Sequence, residues 1–97
     1  MKSNNQELSQ YWMEKSFQSL KSAINEFHQK NYDFCANRLY YAVFYAVSSV
    51  LIYRKKYYKK HSGVRAAYHR EFVKPGIVPI EYGVLYDALL RDREDAD

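Results

Sequence analysis

Residues 34–53, FCANRLYYAVFYAVSSVLIY, constrain this chain more than any other stretch, because only Arg38 among them is ionised. Phe34, Leu39, Tyr41, Ala42, Phe44, Tyr45, Ala46, Val50 and Leu51 cover nearly every azimuth of a helix. A helix that is apolar all round lies at the centre of a bundle or against a partner subunit. Ala36, Ala42 and Ala46 are small enough to let neighbouring helices approach closely. The pattern therefore predicts a buried Arg38. A buried guanidinium must be paired and hydrogen-bonded, since an uncompensated charge costs several kcal/mol. Two partners are open to it: a carboxylate of the C-terminal tail (Asp92, Glu94, Asp95 or Asp97) or a phosphate, whose oxygens match the planar fork.

Membrane insertion is not expected of this helix. Its core, residues 39–53, is shorter than the ~20 residues a span needs. It also carries Ser48, Ser49 and four tyrosines. The N-terminus, MKSNNQELSQ, has no apolar region of signal type. We expect the core helix of a soluble, cytoplasmic protein.

The flanking segments also read as helices. Met13, Phe17, Leu20, Ile24 and Phe27 recur at steps of 4, 3, 4 and 3, which predicts one apolar stripe on a first helix. Leu8 and Trp12 extend it, Ser3 or Asn4 can cap it, and it ends near residues 29–31. Lys30-Asn31-Tyr32-Asp33 is a tight connection, with Asn31 suited to a left-handed cap or Asp33 to the next N-cap. A link this short makes helices one and two an antiparallel hairpin. Helix two is expected over residues 32–54. Ser62 can cap a third helix to about Val73, where Lys74-Pro75-Gly76 ends it. A fourth is expected over residues 81–93, with Tyr82, Leu85, Tyr86, Leu89 and Leu90 as its stripe. With 97 residues, 3 glycines and 2 prolines, the chain reads as one domain, an all-α up-and-down bundle of four helices.

The net charge is +4, a balance that favours anionic partners. Its densest part is the basic run at residues 54–61, which includes Lys59, Lys60 and His61 and holds Tyr57 and Tyr58. Lysines there can neutralise phosphates while the rings stack on bases. The plainer alternative is a solvated loop. Cys35 is the only cysteine, so no internal disulfide forms. His28, His61 and His69 are scattered, and no metal cluster, glycine-rich phosphate loop or cofactor motif is present.

Four segments resemble one family. Residues 36–46 (ANRLYYAVFYA) look like the signature helix of HEPN domains, and specifically of the small stand-alone prokaryotic members. Lys60-His61-Ser62-Gly63-Val64, Phe72-Val73-Lys74 and the closing residues 93–97 are similar to the same group. The resemblance implies a helical bundle, usually dimeric, with a further C-terminal helix in full-length members. It implies pairing with a minimal nucleotidyltransferase in toxin–antitoxin-like modules. Many members are metal-independent ribonucleases, with an arginine and a histidine a few positions on along one helix. The arginine position matches Arg38, and the histidine position falls on Tyr45, seven residues later on the same face. Leu39 stands where a polar residue often follows the arginine. Tyrosine, with a pKa near 10, is a poor general base beside histidine near 6.5.

The first reading is a nucleotide- or RNA-binding module that partners a nucleotidyltransferase. Its contacts are expected at Asn37, Arg38, Tyr41, Lys59, Lys60, His61 and His69. The second is a metal-independent ribonuclease with Arg38 and Tyr45 as its catalytic pair. The third is a structural helical domain in which Arg38 pairs with the acidic tail.

Overall fold

The computed structural model describes residues 4–96, with side chains through residue 93. Among them four α-helices follow in order: α1 (Asn4–His28), α2 (Tyr32–Tyr53), α3 (His61–Tyr68) and α4 (Ile80–Ala96). α3 runs directly into a π-helical turn, His69–Val73. The third helix starts at His61 rather than after a Ser62 cap, with Lys60 at the N-cap position and no side-chain cap bond. At the first connection the left-handed residue is Lys30 (φ 64°), not Asn31. Asn31 instead donates its side-chain amide to Glu26 Oε2 at 2.9 Å.

α2 has 22 residues and is long and apolar enough, by length and composition, to cross a membrane. The fold uses it as the central helix. One side meets α1, and the opposite side carries Tyr40, Val47 and Leu51 into a core with Val64, Ala67, Tyr68, Phe72, Tyr86 and Leu89. Tyr86 stacks on Tyr68 at 5.3 Å and meets Tyr40 edge-on at 6.1 Å, joining α2, α3 and α4 through three rings.

The α1–α2 seam differs from expectation. The residues α1 buries are Ser16, Ser19 and Ala23, not the large stripe. Small side chains let the backbones approach until serine hydroxyls reach across. Ser16 Oγ donates to the Ala42 carbonyl at 2.6 Å, Ser19 Oγ to that of Arg38 at 2.7 Å and Ser9 Oγ to that of Ser49 at 2.9 Å. Each such bond satisfies a hydroxyl that burial alone would penalise. The expected stripe lies one residue, or about 100°, further round. Phe17, Ile24 and Phe27 are therefore exposed, at 64%, 51% and 57%.

Helical register puts Met13, Phe17, Leu20 and Ile24 of α1 on the same side of the hairpin as Leu39, Val43, Ala46 and Val50 of α2. Met13, Ala46 and Val50 line an apolar groove there with Phe72, Ile77 and Val78. The α4 stripe is likewise corrected: Tyr82 and Leu85 are exposed, and Gly83, Tyr86 and Leu89 face inward. Gly83 sits inside a helix because a Cβ there would lie 2.9 Å from His69 Cε1.

Candidate functional site

Arg38 is exposed, which overturns the expectation of a buried charge. It lies near the α1 side of α2, where Ser19 takes its carbonyl while the long side chain reaches past the small seam to solvent. Its Nη1 donates to Asn37 Oδ1 at 3.1 Å. Among the described residues it forms no ion pair. Asp92 is exposed, and the side chains of Glu94, Asp95 and Asp97 lie outside the described residues. The reason for demanding a tail carboxylate is therefore gone: a solvated guanidinium needs no fixed counterion.

Arg38, Tyr41 and Tyr45 at i, i+3 and i+7 share one side of α2, opposite the Leu39–Val43–Val50 side. Trp12 of α1 packs on Tyr45 (centroids 5.4 Å apart), and Tyr45 on Tyr41 (5.6 Å). Two cations rest on these rings. Lys15 Nζ is 5.2 Å from the Tyr45 ring, and the Arg93 guanidinium of α4 is 5.1 Å from Tyr40 and 5.3 Å from Tyr41. Local sequence does not show that either cation meets α2, because α1 and α4 deliver them there only through the tertiary fold.

His61 joins the same side. Its ring stacks on Phe44 at 4.0 Å, and its Nδ1 lies 2.9 Å from Tyr40 Oη. Burial, and secondarily the Arg93 charge, pushes the imidazole below its ordinary range. Lys59 lies at the edge of the cavity that His61 lines. Lys60, at the start of α3, is exposed. Lys56 is already taken, with Nζ 2.6 Å from Glu71 Oε1.

His69 does not join Asn37, Arg38 and Tyr41. Its Nε2 lies 3.0 Å from Asp87 Oδ1, and Asp87 also receives a forked pair of bonds from Arg65 at 2.7 and 2.9 Å. This network ties α3 and its π-turn to α4. Its depression is lined by His61, Arg65, Asp87 and Arg93, so it borders the first site. Among the described residues, no group of three or more His, Cys, Asp or Glu is disposed to hold a metal.

Two pKa displacements give an acid dependence. The Arg65 hydrogen bonds hold the Asp87 carboxyl below its usual range, with burial opposing and His69 adding to the effect. A group with a lowered folded pKa binds protons more readily in the unfolded chain, so stability falls as pH falls. The His61 contribution is complete above about pH 6.5 and that of Asp87 above about pH 4. Each is lost as pH drops through the lowered folded value. Thermal unfolding followed by circular dichroism is expected to give a midpoint that falls from about pH 7.5 to about pH 5 and falls again below about pH 4. His61→Gln should flatten the upper part of that curve, and Asp87→Asn the lower part.

Comparison with known proteins adds family evidence. The family model described as "HEPN domain" matches residues 9–97. A UPF0332 protein of Thermotoga maritima is 38% identical over 88 residues, covering 91% of this chain and 67% of that protein. A Methanocaldococcus jannaschii protein named as a candidate toxin is 33% identical over 85 residues, covering 88% of this chain and 58% of its own length. The chain thus spans between just over half and two thirds of these relatives. No solved structure gives a significant match.

Proposed function

This chain belongs to the HEPN domain family, and on that premise we propose that it is an RNA- or nucleotide-binding module of a toxin–antitoxin-like pair. One observation carries the reading: three cations, Lys15, Arg38 and Arg93, share one side of the fold with the rings of Trp12, Tyr41 and Tyr45. Cations that track a phosphate backbone beside rings that stack on bases are the means by which single strands are held. The toxin-like part of the reading draws support from the name of the archaeal relative. The partnership with a minimal nucleotidyltransferase, in the cytoplasm, draws on the signature helix at residues 36–46. Fluorescence anisotropy with a labelled single-stranded RNA tests the binding: affinity should fall with salt and with Arg38→Ala. Insensitivity to both contradicts it.

The ribonuclease reading is favoured by His61. Its imidazole, held below its ordinary range by burial and with Nδ1 2.9 Å from Tyr40 Oη, is neutral near pH 7 and can accept a proton there. Cleavage that persists in EDTA and is lost in both His61→Gln and Arg38→Ala would support it. Absence of cleavage would leave binding alone.

A second copy of the chain is the proposed occupant of the exposed apolar side. α1 has 25 residues, so at 1.5 Å each the face is roughly 37 Å long. Two packed helices make it about 18–20 Å wide. The product, on the order of 700 Å² per copy, approaches the ~800 Å² per partner of a standard stable interface. Light scattering after size exclusion should show a dimer at tens of micromolar, and Phe17→Glu with Ile24→Lys should make it monomeric. A monomeric wild type, or a variant that stays dimeric, contradicts the assignment.

A further inference from the structure

A cavity of about 300 Å³ lies beside the rings on which Lys15 and Arg93 rest, between the hairpin and the basic loop. Its wall comes from every part of that corner: Trp12 of α1, Phe44 and Ser48 of α2, Tyr58 and Lys59 of the loop, and His61 of α3. At that size it stands at the small end of ligand pockets, with room for one flat ring system. Its lining is aromatic and aliphatic, with a hydroxyl at Ser48 and two lysines, Lys56 and Lys59, of which Lys56 is paired with Glu71.

The wall is held in place. Asn5 donates to the Ile52 carbonyl and accepts from the Tyr57 hydroxyl, which fastens the loop to α1. Arg70 donates to Tyr58 Oη at 3.1 Å. The Tyr58 ring lies against Gly63, where a Cβ would come within 3.2 Å of it. Gly63 thus leaves the space that lets Tyr58 close over the start of α3. His61, stacked on Phe44 and bonded to Tyr40, is likewise fixed in orientation.

The geometry points to a pocket for a single nucleobase. The base enters against Trp12 and the Phe44–His61 stack, under Tyr58, and its phosphate meets Lys59 at the edge. This deepens the RNA- or nucleotide-binding reading and rests on it. The Arg38 side holds the strand's backbone, and the pocket takes one base out of the strand. Planar rings stack on aromatic side chains whatever the base, so the pocket selects for a base with an attached phosphate rather than for a sequence.

Trp12 is the only tryptophan in the chain, so its emission reports on this wall directly. The purified protein is titrated with AMP, with ribose 5-phosphate as the probe that lacks a base. AMP should change Trp12 emission saturably, ribose 5-phosphate should not, and Tyr58→Ala should weaken the AMP response about tenfold or more. Tyr58 is in the loop, so circular dichroism of that variant should match wild type. No saturable change with AMP overturns the pocket. So does an equal response to ribose 5-phosphate, or an unaltered response in folded Tyr58→Ala. Anisotropy with labelled RNA separates the two claims. If RNA binds in an Arg38-dependent way while Trp12 stays silent to AMP, the pocket falls and the binding face stands. If AMP quenches Trp12 while RNA does not bind, the pocket stands and the strand-binding face falls.

Discussion

Tyr86→Ala is expected to lower the free energy of unfolding by about 3–5 kcal/mol, the usual cost of deleting a fully buried aromatic side chain. Tyr86 is 1% exposed and touches the rings of both Tyr40 and Tyr68. Its removal leaves a void where α2, α3 and α4 meet, and those helices relax only partly around it. A chain of this length has roughly 5–15 kcal/mol of stability at most, so the variant should be largely destabilised and open to unfolding near room temperature. Tyr86→Phe keeps the ring and should cost under about 2 kcal/mol. Urea titration by circular dichroism distinguishes the two. Equal costs would place the stabilisation in the hydroxyl rather than in the packed rings. The same burial pushes the Tyr86 phenol well above its ordinary range. A raised folded pKa favours the neutral phenol in the fold, so this contribution is complete below about pH 10 and is lost as pH rises through the folded value.

The triple substitution of Lys15, Arg38 and Arg93 by alanine is expected to weaken single-stranded RNA binding by at least about 100-fold at low salt. Each cation that neutralises a phosphate releases condensed counterions, and three such contacts give a salt slope of roughly −2 for a single strand. Two of the three stand over aromatic rings, so their loss also exposes ring faces that they now cover. Circular dichroism should show the variant folded, since Arg38 is exposed and Lys15 and Arg93 are both partly exposed. A folded triple variant that binds RNA with wild-type affinity would move the binding surface elsewhere on the molecule.

The bundle, the hairpin and the central place of α2 were legible in the sequence, because an apolar helix of that length and so short a link allow few other arrangements. Which faces touch was not. The 4-3-4-3 stripe of α1 is the stronger hydrophobic signal, yet the seam is made by Ser16, Ser19 and Ala23. Close approach with hydroxyl-to-carbonyl bonds outweighs the burial of large side chains there, and hydrophobicity does not register it. Arg38 was misjudged for a related reason. A charge in an apolar helix implies burial, whereas small neighbours here let its side chain reach solvent. Asn37, Arg38, Tyr41, Tyr45 and His61 were all visible as candidates, and they lie on or beside one side of α2. His69 was a candidate for the same group, and the fold commits it to Asp87. Nothing local marks Trp12 and Lys15 as site residues, and Arg93, although it opens the family-like closing segment, carries no local sign that it meets α2. They sit in α1 and α4 and meet α2 only when the chain is folded.

The central claim is that the side of α2 bearing Arg38 tracks a phosphate backbone. Its most direct test is the slope of log affinity against log salt for a single-stranded RNA, measured for wild type and for Arg38→Ala. The account predicts a linear fall for both, with the variant shallower by about 0.7, the loss of one phosphate contact. Parallel lines of equal slope, with Arg38→Ala still folded, would contradict it.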